Sequence, residues 1–259
     1  MQKELLTLTI VQSDIVWEDR AENLRQYSAT LKKLPQTDLI LFPEMFTTGF
    51  SMSTQHLAES MEGNTLYWLK EQSAQLRAAI GASLIIKEDD CFYNRFVLAA
   101  PDGSVAWYDK HHLFTMGNEH LHYTPGNTRV TMEYLGWRIR PIICYDLRFP
   151  VWSRNHDDYD LLICAANWPS PRHHVWKNMV VTRALENQCY CAAINRVGID
   201  GMQLQFLGDS ALVDPKGDVF FMGQEATHKT FTLSKPELQA FRSKFPVLND
   251  RDDFTLQAF

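Results

Sequence analysis

The sequence predicts a layered α/β domain with a mixed sheet or two sheets, and two observations carry the prediction. Short continuous apolar runs at Asp38–Phe42, Ala79–Ile86 and Asp160–Ala165 read as strands covered on both faces, and early in the chain they alternate with segments of helical spacing. Turn signals at Pro101-Asp102-Gly103 and at Gly136 then introduce hairpins, which argues against a purely parallel sheet.

Taken in order, Leu5–Val11 alternates and then fills with β-branched residues, the pattern of a first strand. Trp17–Leu34 repeats its apolar positions at Leu24, Tyr27, Leu31 and Leu34, a helix closed by Pro35. The Asp38–Phe42 strand runs out into Pro43-Glu44-Met45-Phe46, and Thr47–Gln55 reads as a loop. A helix over Thr65–Ala79 leads into the Ala79–Ile86 strand. Phe92–Ala100 and Ser104–Asp109 form the arms of one hairpin, with Lys110 at the end of the second. Val130–Tyr134 and Trp137–Ile143 form another, ending at Cys144. After the Asp160–Ala165 strand comes a helix over Arg172–Asn187, with Val175, Met179, Thr182 and Glu186 on one stripe. Cys189–Ile194 and Gly208–Val213 are strands, Asp214–Asp218 turns into Val219–Met222, and the tail after Ser234 is a short helix plus coil. No linker, low-complexity tract or repeat divides the chain.

Composition narrows the function classes. A net charge of −6 over 259 residues and a pI near 5.8 argue against nucleic acid or an anionic membrane as an obligate partner. No apolar run reaches the roughly 18 residues of a membrane span. The start, Met1-Gln2-Lys3-Glu4-Leu5, lacks the basic-then-apolar pattern of a secretory signal. Cys91, Cys144, Cys164, Cys189 and Cys191 are odd in number and contain no CxxC pair, so neither a disulfide framework nor a thiolate zinc site is indicated, and a reduced, cytoplasmic setting is expected. His111-His112 and His173-His174 are adjacent pairs that point apart on a strand or helix, so no metal is expected.

Chemistry gathers where strands end. Glu44, Lys110 and Cys144 each follow a predicted strand, and Glu119 lies on the loop after Lys110. Ligands in layered α/β proteins collect at the carboxyl ends of strands, so three reactive side chains delivered there can share one pocket. A carboxylate takes a thiol's proton and returns it to a leaving amine, while an ammonium favours the thiolate and hydrogen-bonds a developing oxyanion. The backbone N–H of Tyr145, next after the nucleophile, is a natural second donor. Asp146 reads as a helix N-cap, and a helix start facing Cys144 would lower its pKa and make it the site of iodoacetamide labelling. Each residue also has a plainer reading: Cys144 as a small buried apolar side chain, Glu44 as a cap, Lys110 and Glu119 as solvated loop charges.

The stretches Leu41-Phe42-Pro43-Glu44, Tyr108-Asp109-Lys110-His111-His112-Leu113-Phe114 and Cys144-Tyr145-Asp146-Leu147-Arg148-Phe149-Pro150 resemble the three signature regions of the nitrilase (carbon–nitrogen hydrolase) superfamily. Tyr123-Thr124-Pro125-Gly126, Ala166-Asn167-Trp168-Pro169 and Arg183-Ala184-Leu185-Glu186-Asn187-Gln188 match in place and order. The resemblance implies a four-layer α-β-β-α sandwich that pairs with a second subunit. It implies one domain over residues 1–259, with a core at about 5–222 and a tail at about 234–259. It also implies a cofactor-free Glu44–Lys110–Cys144 triad, with Glu119 as the second glutamate that orients the lysine.

Within the superfamily the chain is most similar to the omega-amidase branch, which implies short dicarboxylic monoamides such as alpha-ketoglutaramate and alpha-ketosuccinamate as substrates. The distal carboxylate of such a substrate needs a cation or several donors. Arg172 is the first candidate and His173 the second, although Arg172 also fits a surface charge at a helix start. Phe50 and Trp168 could wall the pocket or simply be core. His112 is expected to pack or hydrogen-bond under Lys110. Two alternatives stay open: the same triad acting on a nitrile, an N-carbamoyl amino acid or an aliphatic amide, and a non-catalytic oligomeric binding protein.

Overall fold

The computed structural model describes residues 2–256; Met1 and residues 257–259, the two ends of the expected domain, lie outside the described residues. The first half of the chain runs β1 (Leu5–Gln12), α1 (Arg20–Leu31), β2 (Leu39–Leu41), α2 (Thr54–Leu57), α3 (Asn64–Leu76), β3 (Ala79–Glu88), β4 (Cys91–Ala99) and β5 (Val105–Asp109). The second half runs β6 (Met132–Tyr134), β7 (Trp137–Ile143), α4 (Pro150–Ser153), β8 (Leu161–Ala166), α5 (His173–Asn187), β9 (Tyr190–Asn195), β10 (Val197–Ile199), β11 (Gln205–Leu207), β12 (Ala211–Val213), β13 (Val219–Phe221), β14 (Thr227–Ser234) and α6 (Lys235–Lys244).

Two six-stranded sheets result, in the orders β14-β1-β2-β3-β4-β5 and β13-β12-β9-β8-β7-β6. In each, three parallel strands (β1, β2, β3 and β7, β8, β9) are flanked by antiparallel ones. The apolar runs are continuous because both faces of each central strand are covered, as period-two side chains require. Leu39 and Leu41 of β2 and Phe96 and Leu98 of β4 face the second sheet, packing with Trp137, Ile139 and Leu161. Ile40, Val97 and Ala99, one residue out of phase, face Tyr27 and Leu31 of α1 and Leu66 and Leu69 of α3. Trp176, Val180 and Ala184 of α5 cover the second sheet. The layers are therefore helix, sheet, sheet, helix.

Helix limits follow local chemistry. α1 starts late, at Arg20, because the Asp19 side chain accepts from Glu22 N at 3.0 Å and caps it. α3 stops at Leu76, where Arg77 turns left-handed at φ +53° and feeds β3. The loop expected over Thr47–Gln55 ends in the single turn of α2. The buried stripe of α5 lies one residue along from the expected one, on Trp176, Val180, Arg183, Ala184 and Asn187, and Thr182 is exposed. Two polar residues disguised that face: Arg183 Nε donates to Leu147 O at 2.9 Å and Asn187 Oδ1 accepts from Asn155 N at 2.8 Å. The expected core limit near residue 222 is also corrected, since β14 pairs with β1 along all eight of its residues. Its alternating, half-polar composition suits an edge strand and lacks the apolar run that marks the central ones.

Candidate active site

β2, β5, β7 and β8 all direct their carboxyl ends to one side of the sandwich, and each delivers a side chain there. Glu44 follows β2, Lys110 follows β5, Cys144 follows β7 and Asn167 follows β8. Lys110 Nζ donates to Glu44 Oε1 at 3.0 Å and to both oxygens of Glu119 at 2.9 Å. All three side chains are essentially inaccessible to water, with exposures of 1% or less. A buried lysine between two carboxylates is the arrangement in which burial ceases to favour the neutral amine. Burial works against the Lys110 ammonium, but Glu119 and Glu44 outweigh it and hold its pKa above the ordinary lysine value. Burial raises the Glu119 carboxyl, with Lys110 opposing and Glu44 adding to the rise.

Further groups fix this ion cluster. Asn94 Nδ2 donates to Glu44 Oε1 at 2.7 Å and is itself turned by Ser83 Oγ, which donates to Asn94 Oδ1 at 2.9 Å. Asn167 N donates to Glu44 Oε2 at 2.8 Å, so both carboxylate oxygens are engaged. Asn94 and Asn167 were not singled out in the sequence. For Asn94 a signal existed: it shares the inward parity of Phe96 and Leu98 on β4, where an amide needs a buried partner. Asn167 sits in a matched motif, but only the fold brings it to Glu44.

Cys144 adopts φ +44°, a left-handed conformation that non-glycine residues hold only under constraint. It opens the short 3₁₀ turn Cys144–Arg148, and α4 beyond it spans only four residues. Asp146 is therefore not the N-cap of a long helix, and the expected helix-start lowering of the thiol pKa is corrected. Burial pushes the Cys144 thiol well above its ordinary range, Glu44 adds to that push, and Lys110 only partly offsets it. The thiol donates to Asn167 O at 3.8 Å. Alkylation of Cys144 by iodoacetamide is expected to accelerate steadily between about pH 7 and 9.5, since only the thiolate reacts. A rate that levels off near neutrality would instead indicate a thiolate at rest.

Glu44, Lys110 and Cys144 border a cavity of 530 Å³, walled also by Phe50, Tyr145, Trp168 and Arg172, while Glu119 sits behind Lys110. The Phe50 ring lies 5.0 Å from Lys110 Nζ. Arg172 stacks over Phe114 at 5.2 Å and Arg148 over Trp168 at 5.0 Å. Neither guanidinium is paired with a carboxylate among the described residues, and both arginines line the cavity. His173 does not line it: its Nε2 is 2.9 Å from Asp209 Oδ2, beside Lys177. His112 hydrogen-bonds Asp146 through Nδ1 at 2.9 Å and stacks on Phe149. The hairpin of β10 and β11, not foreseen, contributes Met202, Leu204 and Phe206 to the wall.

Layers of this kind, with a buried carboxylate–ammonium pair and a thiol at one sheet end, define a nitrilase-type α-β-β-α sandwich. The family model for carbon-nitrogen hydrolase matches residues 7–240. The chain belongs to the carbon–nitrogen hydrolase family. It is 43% identical to the omega-amidase YafV of Escherichia coli strain K12, over 97% of this chain and 98% of that one. It is 31% identical to the 2-oxoglutaramate amidase of Bacillus subtilis, over 94% and 96%. The crystal structure of XC1258 from Xanthomonas campestris, a CN-hydrolase superfamily protein with an arsenic adduct in its active site, superposes with a TM-score of 0.96 at 43% identity, covering 98% of this chain and all of that one.

Proposed function

We propose that the protein is an omega-amidase, a single-domain thiol amidase that hydrolyses the terminal amide of short dicarboxylic monoamides such as alpha-ketoglutaramate and alpha-ketosuccinamate. The observation that carries the reading is the buried pair of Glu44 and Lys110, backed by Glu119, bordering the same cavity as Cys144. Near-full-length similarity to an omega-amidase supports the substrate class. Cys144 Sγ attacks the amide carbon while Glu44 takes the thiol proton. The oxyanion that forms is held by Lys110 Nζ and the Tyr145 N–H. Collapse expels the amine as Glu44 returns the proton, so ammonia leaves and a thioester remains. Glu44 then deprotonates a water that attacks the thioester, freeing the dicarboxylate and the thiol. Glu119 holds Lys110 on line throughout.

Arg172 receives the distal carboxylate, since its guanidinium is braced on Phe114 and its edge is free for a bidentate pair. Phe50 and Trp168 wall the chain between the two ends. Alpha-ketoglutaramate is expected to release ammonia faster than nitriles, N-carbamoyl amino acids or simple aliphatic amides, and activity confined to nitriles would overturn the assignment. Arg172→Met is expected to raise KM for alpha-ketoglutaramate by about 10–100-fold, the value of a charged hydrogen-bonded pair, while a neutral amide changes little. Equal losses on both substrates would remove Arg172 from that role.

The protein works as a homodimer in the cytoplasm on this reading. Its five thiols are unpaired, as a reducing compartment keeps them. Leu185 of α5, nearly half exposed, is apolar surface for a second subunit to cover. No helix among the described residues is long and apolar enough to cross a membrane.

A further inference from the structure

We propose that Asp146 is a positioning residue that sets the thiol of Cys144 against the ammonium of Lys110. Its carboxylate is fully buried and has no lysine or arginine partner among the described residues, yet four donors converge on it. Ile143 N donates to Oδ2 at 3.0 Å and Tyr108 Oη to the same oxygen at 2.7 Å. His112 N reaches Oδ1 at 2.8 Å and the His112 ring Nδ1 reaches it at 2.9 Å. A carboxylate kept from water costs free energy unless its lone pairs are filled, and here they are filled by groups from two separate chain segments.

The sequence positions of those donors carry the argument. Ile143 immediately precedes Cys144, and Asp146 lies two residues after it. Tyr108 and His112 lie two residues before and two after Lys110. One side chain therefore ties together the β7 end that bears the nucleophile and the β5 end that bears the ammonium. Outer contacts stiffen the joint: Trp152 Nε1 donates to Tyr108 Oη at 2.8 Å, and the His112 and Phe149 rings stack at 3.6 Å. The grip on Ile143 N also helps hold Cys144 at φ +44°, a conformation that would otherwise relax. Asp146 touches neither the cavity nor the cluster of Glu44, Lys110 and Glu119, so its influence on the reaction is through these two neighbours.

Substitutions at His112 separate hydrogen bonding from packing. His112→Phe keeps a ring against Phe149 and removes the Nδ1 donor; His112→Asn removes the ring and keeps a side-chain N–H. The proposal expects kcat on alpha-ketoglutaramate to fall by about 100-fold in His112→Phe and to recover most of that in His112→Asn, with KM within about 3-fold in both, because a small misplacement of reacting groups is felt in the chemical step. Asp146→Asn is expected to lower kcat at least as much and to displace the pH profile of Cys144 alkylation by iodoacetamide toward higher pH, as the ammonium moves off the thiol. A folded Asp146→Asn protein whose alkylation profile superimposes on the parent's overturns the proposal, as does a reversed order of the two His112 variants. If Asp146→Asn does not fold, the His112 pair decides alone. Should the parent release no ammonia from alpha-ketoglutaramate, the substrate assignment fails, while the alkylation profiles still test Asp146.

Discussion

Cys144→Ala is expected to abolish ammonia release, lowering kcat by about 10⁴-fold or more, as loss of a nucleophile does when its partners act as a unit with it. The protein should stay folded. Alanine meets the same left-handed backbone that cysteine already holds at φ +44°, so the replacement adds no new strain there. The Asp146 and Arg183 contacts to the Cys144 turn involve backbone atoms of Ile143 and Leu147, which the substitution leaves in place. Cys144→Ser should be nearly as inactive, because an alcohol gives up its proton to Glu44 far less readily than a thiol. Full turnover in either variant, with circular dichroism unchanged, would exclude the thioester route.

Glu44→Gln is expected to cost about 10²–10⁴-fold in kcat, the range for losing a positioned general base. The amide retains one acceptor for Lys110 and Asn94, but it presents an NH₂ where Asn167 N now donates, so some of the loss should appear as lower thermal stability. Lys110→Ala is a harsher test. It leaves Glu44 and Glu119 facing one another in a dry interior without their cation, and breaking such a buried pair costs about 3–5 kcal/mol. Its activity must therefore be normalised to the folded fraction, followed by circular dichroism through a thermal melt. Rates in Glu44→Gln within about threefold of the parent would remove Glu44 as the base.

Some of this was visible in the sequence because it is periodic or local. Strands with both faces covered announce themselves as apolar runs, and β2, β3 and β8 were legible for that reason. Glu44, Lys110 and Cys144 were legible as polar or thiol side chains following predicted strands, and all three border one cavity. β14 was not, because Thr227–Ser234 alternates weakly and its place beside β1 depends on a partner at the other end of the chain. The face of α5 was misjudged because Arg183 and Asn187 are buried by long-range hydrogen bonds that no spacing encodes. Asp146 was read as a cap, whereas its partners Tyr108 and His112 are more than thirty positions away. The direction of the Cys144 shift also depended on the fold, since burial and a nearby carboxylate outweigh the short turn behind it.

The pairing of β1 with both β2 and β14 has a consequence for how the protein is made. β1 leaves the ribosome well before β14, with 221 positions between the paired Thr9 and Thr230, so one side of β1 stands open while the intervening chain is made. The run Leu6–Val11 on that open side is apolar, β-branched and free of charge, the kind of segment that templates pairing with another chain. Arrival of β14 removes that hazard, and its Lys229 gives the finished sheet a charged, uninviting border. The C-terminal strand thus acts as a closing clasp, and the dangerous interval in this protein's life is the time before it is translated.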